Sequence, residues 1–169
     1  MKAYIINLKH SIDRRTYMEE QCRKLPFLSI EYINAVDGRS MNTEERTIAF
    51  DEKEFEKRYS VKVRPGEIGC TLSHQKCYKK MVEEHLPYAL ILEDDISLSV
   101  DIKTVLEKIG EMMQTGIPTV VLLSGWYWYG NTTHLEGEYK LANVYDAFLT
   151  HSYVINLAAA KLLIETRPY

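Results

Sequence analysis

YALILEDD, residues 88–95, is a continuous apolar run that stops abruptly at three acidic residues. An uninterrupted apolar run of this length is typical of a strand that is covered on both faces of a sheet. In open α/β sheets, ligands bind beyond the carboxyl ends of the strands. The stretch therefore predicts a buried strand that carries Glu93, Asp94 and Asp95 to a ligand-binding edge.

Strand and helix patterns alternate on both sides of this stretch. Helix starts are indicated at Ser11, Pro65, Asp101 and Asn156, which are capping or first-turn residue types. Such alternation predicts a single α/β domain over residues 1–169, with a mainly parallel sheet flanked by helices. The predicted strands are residues 2–8, 28–34, 88–92, 120–123 and 148–155.

Residues 42–64 are the most charged part of the chain. Asn42 followed by Glu45, and Asp51 followed by Glu54, have the spacing of a capping residue and its reciprocal glutamate. We therefore predict a charged, solvated helical insertion with two short helices.

Length, charge and apolar runs limit the class of protein. A chain of 169 residues folds around one core without needing a disulfide or a metal staple. The net charge of −3 is spread over both signs and does not form the basic face that nucleic acid selects, so we predict no nucleic-acid partner. No run reaches the ~20 apolar residues that span a bilayer, and the first apolar run is too short for a signal peptide. These features predict a cytoplasmic chain with at most peripheral membrane association.

The cysteines are three in number, and Cys22, Cys70 and Cys77 have no CxxC spacing. We predict that all three are buried, reduced thiols rather than metal ligands or redox groups.

The acidic triplet has two interpretations. Adjacent carboxylates repel one another, and a hard divalent cation such as Mg²⁺, Mn²⁺ or Ca²⁺ relieves this repulsion and can bridge a diphosphate. Alternatively, the triplet is a solvated loop with a helix cap. If strand geometry continues, Glu93 and Asp95 point to one side of the sheet and Asp94 to the other.

Two further sets of polar residues are candidates for a site. His74 lies on the apolar arc of its helix, one turn after Cys70, and is either a satisfied core histidine or a neutral imidazole facing a cleft. Arg14 and Arg15 open the first helix, where an arginine can meet phosphate, although surface solvation explains at least one of them.

The segment GWYWYG, residues 125–130, contains both tryptophans of the chain. Alternation would place the Trp pair on one side and the Tyr pair on the other, for contact with sugar or for packing in a core or lid. GxxxxGK, GxGxxG and GxSxG motifs are missing from the sequence, which argues against kinase-like, dehydrogenase and serine-hydrolase functions.

Several segments in a fixed order cover essentially the whole chain. They are Ile6-Asn7-Leu8 with Arg14-Arg15, Asn34 to Gly38, Gly66 to Cys70 with Ser73-His74, Leu90 to Asp95, and Thr150 to Ile155 with Ala158 to Leu163. Together they resemble glycosyltransferase family 25, the lipooligosaccharide galactosyltransferases of bacteria and their collagen-modifying relatives. Two departures are Leu149, where the family commonly carries glycine, and the stop at Tyr169, where the family usually continues through a further acidic segment and a C-terminal region.

The resemblance implies a glycosyltransferase A-type, Rossmann-like fold that holds a UDP-sugar with Mn²⁺ or Mg²⁺. By this analogy Asp95 ligates the metal, and Glu93 contacts ribose or a metal-bound water. The positions matching those around the nucleotide sugar are Asn7, Leu8, Arg14, Asp37, Gly38, His74, Glu93 and Asp94.

The implied activity is transfer of a hexose, by family galactose, to lipooligosaccharide or another surface glycan at the inner face of a bacterial membrane. Transfer inverts the anomeric centre and needs a base for the acceptor hydroxyl, which the sequence does not identify. Two other functions stay open: a truncated module that binds a nucleotide sugar without turnover, and a metal-dependent phosphohydrolase that uses the same acids. An apolar edge left by the missing segment further predicts a homodimer.

Overall fold

The run from Tyr88 to Glu93 forms the central strand of a five-stranded sheet in the computed structural model, which describes residues 1–99, 101–149 and 151–169. The sheet strands are β1 (Lys2–Asn7), β2 (Ser29–Asn34), β3 (Tyr88–Glu93), β4 (Val120–Leu122) and β7 (Ser152–Asn156), and a hairpin is made by β5 (Trp126–Glu136) and β6 (Tyr139–Phe148). The helices are α1 (Ile12–Cys22), α2 (Thr43–Ala49), α3 (Glu52–Tyr59), α4 (Pro65–Glu83), α5 (Ile102–Met112) and α6 (Leu157–Glu165).

The strand order in the sheet is β2-β1-β3-β7-β4. Strand β1 runs parallel to both β2 and β3, whereas β7 runs antiparallel to β3 and to β4. The predicted α/β class with a mostly parallel sheet and flanking helices is therefore confirmed, with one antiparallel strand inserted.

Strands β1 and β3 are covered on both faces, as their apolar composition predicts. Ala3 and Leu90 belong to one core cluster, and Tyr4 and Ile91 belong to the other. All four are fully buried. Side chains of α1 and α5 complete the first cluster, and side chains of α4 and α6 complete the second. This alternation fixes which side of the sheet each residue of β3 faces, including Glu93 at its end.

The segment between β4 and β7 differs from the sequence-based prediction. Residues 126–148 form the β5–β6 hairpin, and the strand predicted over 148–155 begins at Ser152 instead. Leu149 has a left-handed φ of 72° and lies just after the end of β6, while Thr150 lies outside the described residues. The apolar run at residues 120–123 is typical of a buried strand, but Val120 is 42% exposed because β4 is an edge strand.

Two short helices form in the charged segment, as Asn42 and Asp51 predict. The Asn42 side chain accepts from the Glu45 backbone N–H at 2.9 Å, and Asp51 accepts from that of Glu54 at 3.0 Å. The segment is not wholly solvated, because Phe50 between the helices is 1% exposed. Its backbone carbonyl accepts a hydrogen bond from Arg167 at 2.9 Å, which ties the segment to the end of the chain.

None of the helices in the described ranges is long and apolar enough to cross a bilayer.

Stability should fall in acid through an ion-pair network on the outer part of the sheet. Lys80 contacts Glu31 and Glu84 at 2.9 Å each, and Lys2 contacts Glu31 at 2.5 Å. The hydrogen bond from Lys80 lowers the pKa of Glu84. Partial burial raises the pKa of Glu31, but bonds from Lys2 and Lys80 outweigh that effect and lower it overall.

A lowered pKa in the folded state means that these carboxylates stabilise the fold above the ordinary glutamate pKa and lose that contribution as pH falls through the folded value. We expect urea unfolding midpoints to drop below about pH 4.3. The drop should be smaller in Glu31→Gln, and an equal drop in both proteins would contradict the assignment.

Candidate functional site

Asp94 follows β3 and is held at the carboxyl edge of the sheet by two side chains from β1 and α1. Asn7, the last residue of β1, donates from Nδ2 to Asp94 Oδ2 at 2.7 Å. Arg14 in the first turns of α1 donates from Nη1 to Asp94 Oδ1 at 2.9 Å. Because Asp94 is 8% exposed and Asn7 is 5% exposed, these bonds compensate for the burial of a carboxylate. Three predicted site residues thus lie in direct contact.

Asp95 shares Arg14 with Asp94. Arg14 Nη1 lies 3.1 Å from Asp95 Oδ2, and the Asp95 side chain is 46% exposed. The hydrogen bond and the charge of Asp94, assisted by Asp95, raise the pKa of Arg14. Strand β3 ends at Glu93, so strict alternation stops there, and Asp95 joins the Arg14 side rather than the Glu93 side. The condition under which Glu93 and Asp95 would share one side, continued strand geometry, is therefore not met.

Glu93 faces the opposite side of the sheet and meets α4. His74 Nε2 lies 3.3 Å from Glu93 Oε1, and Cys70 Sγ donates to the same oxygen at 3.7 Å. The Glu93 backbone N–H donates to the His151 carbonyl at 2.8 Å. Burial raises the pKa of Glu93, but the His74 bond and nearby charges outweigh burial and lower it overall. Glu93 is therefore ionised at neutral pH.

The arrangement removes part of the repulsion on which the sequence-based metal argument rests. Arg14 lies between Asp94 and Asp95, and His74 contacts Glu93, so all three carboxylates have a polar partner inside the protein. A cation is thus not required for the triplet to exist. The most exposed of the three carboxylates is that of Asp95.

Cys70, His74 and Glu93 bring one ligand atom each within 4.8 Å of one another. Loss of hydration around the sulfur, followed by the charge of Glu93, raises the pKa of Cys70 to about 12. A protonated thiol that donates to Glu93 explains the closeness of the three groups, so the cluster is not in itself evidence of a bound ion.

The expectation of three buried thiols is wrong for two of them. Cys70 is exposed as a whole residue, although its sulfur has lost hydration, and Cys22 is half-buried, whereas Cys77 is buried.

The remaining predicted residues lie in the loops after β1 and β2. Leu8 accepts at its carbonyl from the Ser11 backbone N–H at 2.8 Å, which closes the turn into α1. Asp37 Oδ1 accepts from the Arg39 backbone N–H at 3.0 Å within its own loop. Gly38 packs directly against α4, since a Cβ there would lie 1.8 Å from the Pro65 carbonyl oxygen. Only Asp37 of these three residues has a polar side chain, and within the described residues it makes no hydrogen bond to the acidic triplet.

A cavity of about 1090 Å³ opens beside Asp95, between α5, β4 and the hairpin. Its lining includes His151, Tyr127 and Tyr129, while Trp126 is 78% exposed and lines a separate surface groove. Both tyrosines line the cavity and both tryptophans line the groove, but Tyr127 lines the groove as well, so the predicted separation of the two pairs stays a prediction. Sequence reasoning did not select His151, although the stretch that resembles the family contained it.

The fold and the site define an α/β protein with a polar, partly acidic ligand edge beyond a central strand. The family described as "Glycosyltransferase family 25 (LPS biosynthesis protein)" matches residues 1–167. The chain belongs to this family, and the resemblance stated from its motifs is confirmed.

Three relatives show the range of the family. Human procollagen galactosyltransferase 2 is 28% identical over 99% of this chain and 28% of its own length. "Probable inactive glycosyltransferase 25 family member 3" of Bos taurus is 27% identical over 99% of this chain and 29% of its own length. A glycosyltransferase 25 family member of Aedes aegypti is 28% identical over 98% of this chain and 28% of its own length. The chain therefore spans less than a third of the length of these relatives.

Proposed function

We propose that this chain binds a UDP-sugar at the carboxyl edge of β3 and transfers its hexose, galactose by family, to a glycan acceptor with inversion. The observation that carries the proposal is the placement of Asp94, Asp95 and Arg14 together beyond the central strand of a family 25 domain. This edge is where α/β sheets bind their ligands. The comparisons support a glycosyltransferase, and the choice of donor and acceptor is our proposal.

The chemistry of the donors fits Mn²⁺ or Mg²⁺, because these ions prefer carboxylate oxygens. The exposed carboxylate of Asp95 would hold the ion, and Glu93, which faces α4, would reach it only through a metal-bound water. Once bound, such an ion supplies charge neutralisation to the departing diphosphate. The fit rests on Asp95, whose Oδ1 has no hydrogen-bond partner among the described residues.

Other side chains of the site have roles that do not depend on the ion. Arg14 is 56% exposed at the side chain and lies close to a helix N-terminus, a position from which a guanidinium can contact phosphate oxygens. Asn7 and Asp94 are buried and fix the guanidinium where it lies. His74 orients Glu93 for a ribose hydroxyl or a bound water. Asp37 and Gly38 lie in the loop after β2. This loop begins beside Asn7, because Asn34 at the end of β2 pairs with Asn7 of β1.

The acceptor we propose is lipooligosaccharide or another surface glycan made at the inner face of a membrane. Lipopolysaccharide biosynthesis appears in the description of the family, and procollagen appears in the name of the human relative. Both acceptor types are therefore needed in an assay. The acceptor hydroxyl also requires a base, and His151 is a titratable side chain lining the cavity beside Asp95.

Transfer is tested by incubating the chain with UDP-galactose, Mn²⁺ and either a lipooligosaccharide core or a procollagen peptide. We expect UDP release that depends on one acceptor, and a product with inverted anomeric configuration. Donor binding without UDP release would favour the non-catalytic module, a function that the name of the bovine relative brings into consideration. Phosphate release from simple phosphoesters would instead favour a phosphohydrolase.

A further inference from the structure

Four side chains form a line of hydrogen bonds whose two central members are buried and whose last member, Glu93, lies in the site. Tyr78 of α4 and Tyr153 of β7 have their hydroxyl oxygens 2.6 Å apart. The Tyr153 hydroxyl lies 2.7 Å from His74 Nδ1, and His74 Nε2 lies 3.3 Å from Glu93 Oε1. Tyr153 is 2% exposed and His74 is 5% exposed, so water does not replace these contacts.

The direction of the line follows from its protons. Glu93 Oε1 already accepts a hydrogen bond from Cys70 Sγ, so a neutral His74 must carry its proton on Nε2 to bond to the same oxygen. The Nδ1 of a neutral ring with a proton on Nε2 is then an acceptor, and the Tyr153 hydroxyl must donate to it. Burial raises the pKa of Tyr78 to about 12 and that of Tyr153 well above its ordinary value, so both hydroxyls keep their protons. Tyr78 therefore donates to Tyr153.

The opposite tautomer leaves the line unsatisfied. With the proton on Nδ1, the lone pair of Nε2 would face a negatively charged oxygen of Glu93 at 3.3 Å. Two acceptors would then meet in a buried place, and the proton of Tyr153 would have to turn toward Tyr78. An unpaired buried acceptor is costly, so the arrangement selects one tautomer.

We propose that Tyr153 is a positioning residue whose hydroxyl holds His74 in its Nε2–H tautomer and ring orientation, so that His74 can fix Glu93 in the site. Tyr153 does not touch the ligand edge itself. Antiparallel strand β7 brings Tyr153 opposite Ile91 of β3, on the face that α4 covers. The consequence for ligand binding rests on the proposed function, whereas the tautomer does not.

The tautomer is measured by ¹⁵N NMR of the ligand-free protein at mildly alkaline pH, with the His74 ring assigned through bonds from its backbone. We expect a pyridine-type, hydrogen-bonded Nδ1 and a pyrrole-type, protonated Nε2. In Tyr153→Phe the Nδ1 resonance should move to the position of an unbonded pyridine-type nitrogen. A wild-type ring protonated on Nδ1, or an Nδ1 resonance that Tyr153→Phe leaves unchanged, would overturn the proposal.

Tyr4→Phe is a matched control. Tyr4 is fully buried in the same core cluster, and its hydroxyl donates to a glutamate, Glu84, at 2.8 Å, away from the site. The control thus removes one buried hydroxyl and leaves the line intact. We expect unchanged His74 resonances in this variant. If Tyr4→Phe shifted the Nδ1 resonance as much as Tyr153→Phe does, the shift would follow from the loss of any core hydroxyl, and the proposal would be overturned.

Ligand affinity gives the second readout. Losing the outer partner of a site residue typically weakens metal affinity or activity 10- to 100-fold, so we expect UDP to bind Tyr153→Phe about 10-fold more weakly and Tyr4→Phe as tightly as the wild type. Equal affinity in both variants would overturn the positioning role. If the wild type itself does not bind UDP, the proposed function fails, and the NMR experiment still decides whether Tyr153 sets the tautomer.

Discussion

Asp95→Asn is expected to abolish metal-dependent UDP binding while leaving the fold intact. The Asp95 carboxylate is the outermost of the three acids, is 46% exposed and is held only by Arg14 among the residues that the structure describes. An amide of the same shape loses the charge that attracts a divalent cation. It loses at most ~1 kcal/mol of folding stability, because exposed ion pairs contribute little. We expect UDP affinity in Mn²⁺ to fall by more than about 100-fold, beyond the range for outer partners of a metal site.

Asp101→Asn provides the control for charge. Asp101 is an exposed acid six residues further along the chain, and its side chain makes no capping bond to α5. The same change of net charge at this position should leave UDP affinity unchanged. Calorimetry on both variants, with unfolding curves for each, makes the comparison. Binding of wild-type strength by Asp95→Asn would remove Asp95 from the site.

Gly38→Ala is expected to be the most destabilising small substitution near the site. A Cβ at Gly38 would lie 1.8 Å from the Pro65 carbonyl oxygen and 2.8 Å from the Gly69 nitrogen. Both of these neighbours are backbone atoms. Backbone cannot rotate away as a flexible side chain can, so the β2 loop and the start of α4 must separate. Forced overpacking of this kind costs roughly 3 kcal/mol. The separation would also displace α4, which carries Cys70 and His74.

Gly66→Ala is the matched control, placed on α4, the helix that Gly38 approaches. A Cβ at Gly66 has nothing within 4 Å, and Gly66 lies in the first turn of α4. Alanine is the better helix former by up to about 1 kcal/mol, so the variant should be as stable as the wild type or slightly more stable. Urea unfolding of the three proteins measures the difference. Similar midpoints for Gly38→Ala and Gly66→Ala would show that the loop and the helix do not depend on this close approach.

Local patterns were sufficient to predict the centre of the fold. The apolar run before Glu93 is typical of a covered strand and forms one, and Asp94 and Asp95 lie just beyond its carboxyl end. Asn7 ends the first strand and Arg14 follows it in α1, and parallel pairing of β1 with β3 brings both to the edge that carries Asp94. Short-range capping signals likewise predicted the starts of α2 and α3. Their positions in the charged segment were correct because such caps act within four residues.

Features set by contacts between distant segments were not predictable in the same way. The antiparallel insertion of β7 between β3 and β4 has no local signal, and Tyr153 reaches His74 only because of it. The sequence places Glu93 and Asp95 on one side of a strand, but the strand ends first and Arg14 draws Asp95 to the other side. The β5–β6 hairpin was missed because its exposed aromatic residues did not show the burial pattern of a covered strand.

Calorimetric titration of the chain with UDP, first in Mn²⁺ and then with a chelator present, tests the central claim most directly. The claim is that the carboxyl edge of β3 is a metal-dependent nucleotide site. We predict binding in Mn²⁺ that the chelator abolishes, with UDP-galactose binding under the same condition. No heat of binding with or without Mn²⁺, from a chain that unfolds cooperatively, would contradict the account.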